Sequence, residues 1–344
     1  MNLWKDKKIL ITGHTGFKGS WLSLVLKSFD AQLYGLSKSS KAGIYEDLNL
    51  SNIFEEECFL DISKNPENLG IFLERINPEI VFHLAAQSLV PYAFHNPRET
   101  YETNIIGTYN VLEKSNMVEN IKAIVVSTTD KVYLNSEKWN SENDDLGGRE
   151  PYSTSKVATE FIIDDFKKIF SRNDLNISIV RSGNVIGGGD RAEKRLLNDL
   201  IYSIINQKTM QIRNPSGIRP WQDILDSVSG YLKVGEYTFQ KNVSEIFNLN
   251  SKPNNEYTVE RIINEFINIW GSEINLSVNE ENKLNESEIL RLDSTKAEKI
   301  LKWTPKISIE ESLRNIVKWE KDNIENKAME TSLDQIQNYF SNLN

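Results

Sequence analysis

Short runs of β-branched and other apolar residues alternate with segments of helical periodicity over the first 181 residues. This alternation is typical of a parallel β-sheet whose strands are joined by crossover helices. We expect strands at Lys8–Thr12, Gln32–Leu36, Cys58–Leu60, Ile80–Leu84, Ala123–Ser127 and Ile177–Arg181. Six such alternations with right-handed crossovers predict an α/β fold with a doubly wound parallel sheet. Ligands of such a sheet bind beyond the carboxyl ends of its strands.

Two of the intervening segments have the spacing of a helix with one buried face. The apolar positions recur at i, i+3, i+4 and i+7 in Leu22, Val25, Leu26 and Phe29, and again in Leu69, Phe72, Leu73 and Ile76. Asn65–Pro66 and Asn96–Pro97 each offer a capping side chain before a proline, whose missing N–H costs nothing in a first helical turn. We expect a helix to begin at each pair.

The alternation weakens after Arg181, which predicts a second, smaller region that covers the substrate and is interleaved with the first. Lys194–Asn206 has a helical pattern, and Ser244–Leu249 is predicted to be a further strand that returns to the sheet. We divide the chain into residues 1–183 with a returning segment near 220–250, residues 184–325, and a tail at 326–344. The tail is expected to hold a loosely attached final helix.

The composition excludes several classes of protein. The 344 residues are 39% hydrophobic and 26% charged, which supports a globular core and excludes a disordered chain. The net charge of −9 argues against a general nucleic-acid binder. Cys58 is the only cysteine, so no internal disulfide forms and a reducing compartment is favoured. Because no apolar run approaches the ~20 residues of a membrane span, we expect a soluble cytoplasmic protein.

Three glycines, Gly13, Gly16 and Gly19, lie between the first strand and the first helix. Glycines here let the chain turn tightly, let backbone N–H groups approach a pyrophosphate and let the helix pack close to the strand. The alternative is an ordinary strand-to-helix turn. The βαβ context favours a dinucleotide site.

The second strand of a dinucleotide site usually ends in an acidic residue that binds the ribose hydroxyls. Ser37 and Lys38 stand there in this chain, which leaves NAD and NADP open because Lys38 can pair with a 2′-phosphate or be a solvated loop residue. Asp61, after the third strand, either meets the adenine edge or caps the helix that follows Pro66.

Tyr152 and Lys156 are four residues apart at the start of a helix introduced by Pro151, so both lie on one face. To act as a base near neutrality, the phenol must have its pKa lowered from about 10 to about 7. The Lys156 ammonium and an oxidised nicotinamide are candidate sources of that shift. Tyr34/Lys38 and Tyr237/Lys241 have the same spacing, but only Tyr152 follows the fifth strand.

Ser127-Thr128-Thr129-Asp130-Lys131 lies where the fifth strand ends, at the ligand edge of the sheet. A hydroxyl, a carboxylate and an amine together offer a hydrogen-bond donor, a proton carrier and a base. The alternative is a polar turn. The pair Tyr152/Lys156 favours a functional role for Thr129, Asp130 and Lys131.

Taken together, the glycine loop, Ser127–Lys131 and Tyr152-x-x-x-Lys156 resemble the extended short-chain dehydrogenase/reductase family of NAD-dependent nucleotide-sugar epimerases and dehydratases. Four stretches are similar to the 4,6-dehydratases of that family that act on CDP-glucose: Gly13–Trp21, Asp130–Lys131, Arg181–Asp190 and Gly217–Gln222. The similarity extends from about Trp4 to Pro305. It implies a Rossmann sheet with a smaller substrate-binding domain, and a homodimer.

The resemblance implies NAD as the cofactor and CDP-glucose or a related nucleotide sugar as the substrate. The residues it assigns to the cofactor are Gly13, Thr15, Gly16, Phe17, Gly19, Ser37, Asp61, Ile62, Leu84, Ala85, Ala86, Tyr152 and Lys156. Those it assigns to the substrate are Gln87, Asn184, Arg195 and Arg219.

The resemblance also implies a mechanism. Hydride passes from C4 of glucose to NAD while Tyr152 takes the 4-hydroxyl proton and Thr129 holds the ketone. Water then leaves across C5 and C6 with Asp130 as the acid, and hydride returns to C6. Related dTDP-glucose dehydratases carry glutamate where Lys131 stands. Lys131 is therefore either a neutral base for the C5 proton or an electrostatic stabiliser of the enolate.

Six basic residues and two acids between Arg191 and Arg219 give this stretch a local charge of +4, which suits a pyrophosphate. The basic residues are Arg191, Lys194, Arg195, Lys208, Arg213 and Arg219, of which Lys208 is expected to be solvated. Arg191 and Asn198 depart from the family, which usually has tryptophan and proline at these positions.

Two other functions share parts of this pattern. A nucleotide-sugar 4-epimerase has the same fold, cofactor and Tyr/Lys pair but needs no acid beside Thr129, and a non-catalytic dinucleotide sensor needs none of the catalytic residues. Asp130 therefore favours a dehydratase. His83 is expected to be a packed core histidine, and no metal site is predicted because no cluster has metal-ligand spacing.

Overall fold

Seven parallel strands form the centre of the structure, a computed structural model that describes residues 3–39, 43–134, 138–212, 214–250, 257–278 and 290–341. These seven strands are β1 Lys8–Thr12, β2 Gln32–Ser37, β3 Glu56–Phe59, β4 Ile80–His83, β5 Ala123–Thr129, β6 Asn176–Ser182 and β11 Ile246–Leu249. Short strands outside this sheet form two-stranded pairs: β7 Val185–Ile186 with β10 Gln222–Asp223, β8 Met210–Ile212 with β13 Leu276–Val278, and β9 Ile218–Arg219 with β12 Tyr257–Thr258. The central sheet has the order β11-β6-β5-β4-β1-β2-β3. The predicted doubly wound sheet is confirmed.

The helices pack on both faces of this sheet and over its ligand edge. They are α1 Phe17–Ser28, α2 Ile44–Asp47, α3 Pro66–Ile76, α4 Val90–His95, α5 Pro97–Tyr101, α6 Gly107–Asn116, α7 Pro151–Ile169, α8 Leu196–Ile205, α9 Ile224–Lys241, α10 Val259–Trp270, α11 Thr295–Leu301, α12 Ile309–Ile324 and α13 Ala328–Ser341. One turn of π-helix, Glu102–Ile106, joins α5 to α6.

Alternate residues of the central strands point to opposite faces, so each strand contributes to two apolar layers. Ile9 and Ile11 of β1 pack with α1 and α9, whereas Leu10 packs with α3, α6 and α7. All three side chains are fully buried. This double burial explains why the strands appear in the sequence as nearly continuous apolar runs.

The second half of the chain both covers the strand ends and returns to the sheet. Helix α9 packs on β5 and β6, and β11 pairs with β6 in parallel, with Phe247 opposite Val180. Helices α8, α10 and α12 enclose a separate apolar core with Trp221. The predicted strand at Ser244–Leu249 is therefore present at Ile246–Leu249.

Two local expectations are wrong. The helices do begin at Pro66 and Pro97, but neither Asn65 nor Asn96 caps its helix through its side chain. The Asn65 amide instead donates to the carbonyl of Asp61, so the side chain turns back toward the preceding loop.

The final helix is not loosely attached. Ile336 and Tyr339 of α13 are buried, and the Tyr339 hydroxyl donates to Oδ1 of Asp226 at 2.7 Å. Asp226 also accepts the backbone N–H groups of Lys306 and Ile307. One buried carboxylate thus holds both the 306–307 segment and the final helix against α9.

The described ranges contain no helix that combines the length and the apolar character needed to cross a bilayer.

Candidate active site

A cavity of about 780 Å³ opens at the carboxyl ends of the central strands. Its wall contains every residue that the sequence assigned to the cofactor, together with Thr129, Asp130 and Lys131. Of the residues assigned to the substrate, Gln87, Asn184 and Arg195 line it. The volume is within the range of small-molecule sites in proteins.

The glycine loop forms the floor of the cavity. Gly13 has φ +75°, and a Cβ atom added to it would lie 2.7 Å from the backbone nitrogen of Ala85. A Cβ atom on Gly19 would lie 2.2 Å from the carbonyl oxygen of Gly13. The loop therefore packs backbone against backbone, and α1 begins at Phe17 after Gly16, which offers no side-chain cap.

A buried histidine that sequence reasoning missed anchors this loop. His14 Nε2 lies 2.7 Å from Oε1 of Glu57, and its Nδ1 lies 3.0 Å from the Ser37 hydroxyl. Burial lowers the pKa of His14, while the hydrogen bond to Glu57 acts in the opposite direction. Gly35 leaves room for the ring, because a Cβ atom there would lie 2.6 Å from it.

Lys38 faces two carboxylates at the end of β2. Its Nζ lies 3.0 Å from Oε1 of Glu99 and 3.4 Å from Oδ2 of Asp61. Asp61 accepts hydrogen bonds from the backbone and the hydroxyl of Ser63, so it closes a turn and does not cap the helix that follows Pro66. The Lys38 ammonium, the candidate partner of a 2′-phosphate, thus already faces two acids.

Tyr152 and Lys156 enter the cavity from the first two turns of α7. Glu150 caps this helix by accepting the backbone N–H groups of Tyr152 and Ser153, each at 2.7 Å. The Lys156 ammonium donates to the carbonyl oxygen of Ser127 at 2.9 Å. The cap and this bond fix both side chains relative to β5.

The electrostatics of this pair differ from the sequence expectation. Burial raises the pKa of the Tyr152 phenol, and a hydrogen bond with Thr129 only partly offsets the effect. Burial also lowers the pKa of Lys156 to about 8. In the ligand-free protein the phenol is therefore protonated, and Lys156 alone does not make it a base.

Asp130 and Lys131 belong to a single turn of 3₁₀-helix, Asp130–Val132, and Thr129, the last residue of β5, caps this turn. The Thr129 hydroxyl donates to Oδ1 of Asp130 at 2.8 Å and accepts the backbone N–H of Lys131 at 3.3 Å. Asp130 is buried, and its Oδ2 has no hydrogen-bond partner in the parts of the chain that the structure describes. One carboxylate oxygen is thus left for a ligand.

A buried ion pair that the sequence did not reveal supports this strand end. The Arg181 guanidinium of β6 binds both carboxylate oxygens of Glu160 on α7. The Thr128 hydroxyl donates to the same carboxylate at 2.7 Å. Because these groups tie β5, β6 and α7 together, they hold Tyr152 and Thr129 in register.

Lys18 is a further residue that sequence reasoning missed, a half-buried side chain in the cavity wall. Its Nζ donates to the Ser182 hydroxyl at 2.6 Å. No carboxylate of the described residues lies within ion-pair distance of it. Burial lowers the pKa of Lys18 to about 7, and the positive charges of Arg195 and Lys156 act in the same direction. The sequence feature that could have pointed to Lys18 is its position inside the glycine loop, between Gly16 and Gly19.

We predict that Lys18→Met raises the melting temperature of the ligand-free protein at pH 7 by on the order of 5 °C, because it removes a buried and poorly compensated charge. A lysine whose pKa is lowered on folding destabilises the folded protein. The destabilisation has its full size at pH values below the folded-state pKa, which is about 7 for Lys18. As the pH rises toward the unfolded-state pKa of 10.5, this destabilisation declines, and the rise in melting temperature caused by Lys18→Met declines with it.

Melting curves between pH 6 and pH 10 test this. Lys27→Met is the matched control, since Lys27 lies half-exposed at the end of the same helix. Equal melting temperatures for Lys18→Met and the wild type at every pH would contradict the prediction.

The basic stretch between Arg191 and Arg219 does not form one patch. Arg191 pairs with Glu320 and Asp47, and the Nζ of Lys208 lies 2.9 Å from the Tyr202 hydroxyl on the surface. Arg213 lies outside the described residues. Of the described basic residues in this stretch, Arg191 and Arg195 line the cavity.

The four residues assigned to the substrate have different positions. Both polar atoms of the Gln87 amide are engaged locally, with Thr100 and with Leu89. Asn184 lies on the wall, and Arg195 is half-buried with its Nη1 2.9 Å from Asp190. Arg219 is buried in β9 and does not line the cavity in the described part of the chain.

His83 is the packed core residue that the sequence predicted. Its ring nitrogens lie 2.7 Å from the Thr12 hydroxyl and 2.9 Å from that of Thr108. Burial lowers the pKa of His83 to about 3, so the ring is neutral. No group of three or more metal-ligating side chains occurs among the described residues.

Comparison with known proteins identifies the family. The family model described as GDP-mannose 4,6 dehydratase matches residues 10–316. The CDP-glucose 4,6-dehydratase of Salmonella typhimurium is 40% identical over 332 residues, which cover 93% of this chain and 92% of that protein. The dTDP-glucose 4,6-dehydratase of Haemophilus influenzae is 27% identical, and the match covers 90% of this chain and 97% of that protein.

Solved structures show the same fold. MoeE5 in complex with UDP-glucose and NAD superposes with a TM-score of 0.81 at 20% identity, covering 92% of this chain and 99% of the other. The UDP-glucose 4-epimerase of Thermotoga maritima with UDP-glucose superposes with a TM-score of 0.78 at 24% identity. From these matches and the motifs in the cavity, the chain belongs to the GDP-mannose 4,6 dehydratase family of extended short-chain dehydrogenases/reductases.

Proposed function

We propose that this protein is an NAD-dependent nucleotide-sugar 4,6-dehydratase that converts CDP-glucose to CDP-4-keto-6-deoxyglucose. The observation that carries the proposal is the buried carboxyl of Asp130, which shares one cavity with Tyr152 and Lys156 and has an oxygen left for a ligand. A 4-epimerase has no use for an acid there. The 40% identity to a CDP-glucose 4,6-dehydratase supports the choice of substrate.

The floor of the cavity fits a dinucleotide. The close contacts of Gly13 and Gly19 leave no space for side chains, and the first turn of α1 has backbone N–H groups without a side-chain cap. Such a helix N-terminus binds a pyrophosphate. Thr15, Phe17, Ile62 and Leu84 to Ala86 line the rest of this part. NAD, when bound, supplies a hydride acceptor for C4 and a hydride donor for C6.

We favour NAD over NADP because of the surroundings of Lys38. Its ammonium already faces Asp61 and Glu99, so a 2′-phosphate would meet two negative charges and one positive charge. Calorimetric titration with each dinucleotide tests this. Tighter binding of NADP would overturn the assignment.

Tyr152 is the base for the 4-hydroxyl. Its phenol lies beside Thr129, whose hydroxyl can hold the 4-oxygen as it becomes a ketone. Since burial raises the pKa of the phenol, its deprotonation needs positive charge close by. Lys156, one helical turn further along α7, could supply one such charge, and the ring of a bound oxidised nicotinamide would supply another.

Asp130 is the acid for the 6-hydroxyl. Its carboxyl is buried directly after Thr129 at the end of β5, so it acts on the same sugar ring as Tyr152. Lys131 follows on the half-buried wall, where it either takes the C5 proton as a neutral amine or, as an ammonium, stabilises the enolate while another group takes that proton. Lys18, Asn184 and Arg195 are suited to the diphosphate and sugar hydroxyls. Arg219 lies buried in β9 outside the described wall, and its role toward the substrate stays a prediction.

Product analysis tests the function directly. The purified protein is incubated with CDP-glucose and NAD, and the sugar nucleotide is analysed by mass spectrometry. A product lighter by one water molecule supports the dehydratase. A product of unchanged mass that contains galactose would indicate the epimerase, and binding without turnover would indicate a sensor.

We predict that Lys131→Glu retains dehydration within about tenfold of the wild type, because a carboxylate at this place can itself take the C5 proton. Lys131→Met removes both the charge and any base and should lose roughly a hundredfold or more. Initial rates of keto-sugar formation measure both. A Lys131→Met enzyme as active as the wild type would show that Lys131 has no chemical role.

The proposed assembly is a homodimer formed through α6 and α7. The exposed surface of this region is apolar, with Phe161 60% and Ile169 64% exposed, and Met117 at the end of α6 is 62% exposed. An apolar patch of this kind is usual for a protein interface. Light scattering should give twice the monomer mass, and a monomer at micromolar concentration would contradict the assignment.

We also assign the enzyme to the cytoplasm. Cys58 is a free, half-buried thiol, which is usual for a protein of a reducing compartment. Cell fractionation tests this, and recovery from an exported fraction would overturn it.

A further inference from the structure

The end of β2 presents a serine where a dinucleotide-binding sheet usually carries an acid. Such an acid, placed about 20 residues after the glycine loop, accepts a hydrogen bond from a ribose hydroxyl. Ser37 stands in this place, lines the cavity and is buried. A serine hydroxyl can donate as well as accept. On its own, therefore, Ser37 would not distinguish a ribose hydroxyl from a phosphate.

Two residues behind the cavity wall fix the direction of the hydrogen bonds of Ser37. His14 is fully buried, with its Nε2 2.7 Å from Oε1 of Glu57 and its Nδ1 3.0 Å from the Ser37 hydroxyl. The Tyr45 hydroxyl donates to the same Oε1 at 2.5 Å. The ring of Phe54 packs against that of His14, with the centroids 4.8 Å apart. The imidazole is thus held between Glu57 and Ser37.

The carboxylate determines which nitrogen of His14 carries the hydrogen. A carboxylate only accepts hydrogen bonds, so the hydrogen between it and Nε2 belongs to the imidazole. Burial lowers the pKa of His14, and the ring is therefore neutral at pH 7 and holds this one hydrogen. Nδ1 is left as an acceptor. The hydrogen of its bond with Ser37 must then come from the serine hydroxyl.

This arrangement leaves Ser37 Oγ able only to accept from a ligand. Its hydrogen is committed to Nδ1 of His14, and the backbone N–H of Thr15 donates to one of its lone pairs at 3.3 Å. No further partner of this oxygen occurs in the described parts of the chain, so its second lone pair is left for the cavity. A group that binds Ser37 must therefore donate a hydrogen.

We propose that Glu57, His14 and Ser37 form a triplet that replaces the missing acid and selects the 2′-hydroxyl of NAD over the 2′-phosphate of NADP. The inference rests on the proposed function for the presence of a dinucleotide but not for the dehydration. A 2′-hydroxyl can donate to Ser37, whereas an ionised 2′-phosphate offers only lone pairs and faces the negative charge of Glu57 behind the serine. His14 and Glu57 are positioning residues, because they act on the ligand through Ser37.

Dinucleotide binding tests the role of Ser37. Calorimetry on the purified protein, freed of bound dinucleotide, measures the dissociation constants of NAD and of NAD that lacks the 2′-hydroxyl of its adenosine. The wild type should bind this deoxy analogue about tenfold more weakly than NAD, and Ser37→Ala should bind the two equally. Equal affinities of the wild type for NAD and the analogue would overturn the proposal.

Glu57→Gln tests the two residues behind the serine. An amide can donate to Nε2, so the hydrogen of His14 can move to Nδ1, and Ser37 can then turn its own hydrogen toward the ligand. The NADP dissociation constant, divided by that of NAD, should fall by about tenfold. An unchanged ratio in a folded Glu57→Gln protein would show that Ser37 acts without the triplet.

Glu56→Gln is the matched control. It removes the same charge one residue earlier in β3, where the side chain pairs with Arg75 at the surface. This variant should keep the ratio of the wild type. Lys38 retains both of its acidic partners in the two variants, so its contribution to the ratio is the same in each.

Nitrogen NMR of the wild type decides the matter if Glu57→Gln does not fold. The chain has three histidines, so the His14 signals can be assigned by substitution of the other two. A neutral ring with its hydrogen on Nε2 is expected at pH 7. A hydrogen on Nδ1 would overturn the triplet. A protein that discriminates between the dinucleotides as expected but forms no keto-sugar would refute the dehydratase and leave the triplet standing.

Discussion

Asp130→Asn is expected to abolish dehydration while C4 oxidation continues. Asparagine keeps the size of the side chain and its bond to Thr129 but has no proton for the 6-oxygen. Since general acid catalysis contributes roughly 10² to 10⁴ in rate, we expect product formation to fall by about 10³. Borodeuteride trapping measures the accumulated 4-ketoglucose, which should carry deuterium at C4.

Asp164→Asn is the matched control, because Asp164 lies on α7 with its carboxylate exposed and bound to Lys168. This variant should retain full activity. An Asp130→Asn enzyme that dehydrates at the rate of the wild type would show that the acid has been misassigned.

Tyr152→Phe is expected to stop the reaction one step earlier. Without the phenol no group takes the 4-hydroxyl proton, so C4 is not oxidised and nothing is trapped by borodeuteride. We expect a loss of about 10³ or more in initial rate. The fold should persist, because the ring stays buried against Val90 and Ala93.

Tyr34→Phe provides the control for Tyr152→Phe. Tyr34 also precedes a lysine by four residues, but it lies in β2, where its side chain packs with the helices on one face of the sheet. The activity of the Tyr34→Phe enzyme should equal that of the wild type. If the two variants were equally active, the Tyr/Lys spacing would carry no catalytic meaning here.

The sequence predicted the central sheet well because each strand is buried on both faces. Such burial favours apolar residues at most positions, as in residues 80–82 and 123–126, and this is visible without the structure. The parallel order also brings the carboxyl ends of β1, β4 and β5 to one edge. For this reason the glycine loop and Asp130 could be assigned to one cavity from their positions in the chain.

The residues that sequence reasoning missed act through contacts between distant segments. Glu160 and Arg181 form an ion pair only after α7 and β6 have packed on β5, and Asp226 holds the final helix across more than a hundred residues of chain. Lys18 belongs to the same class, since its environment depends on Ser182 and Arg195. Local periodicity carries no information about such pairs.

Two misplaced expectations have a similar cause. Asn65 matched a capping pattern, yet a nearby carbonyl competed for its amide. The charges between Arg191 and Arg219 were summed along the chain, but the partners of Arg191 are Asp47 and Glu320, far away in sequence. A count of charge in one segment omits the acids that other segments bring to it.

The central claim is that one hydride leaves C4 of the sugar and returns to C6 of the same molecule. CDP-glucose deuterated at C4 tests it most directly, with the product analysed by NMR after a single incubation with the NAD-loaded enzyme. The account predicts deuterium at C6 of CDP-4-keto-6-deoxyglucose. Deuterium retained at C4 of CDP-galactose, or none in the product, would contradict it.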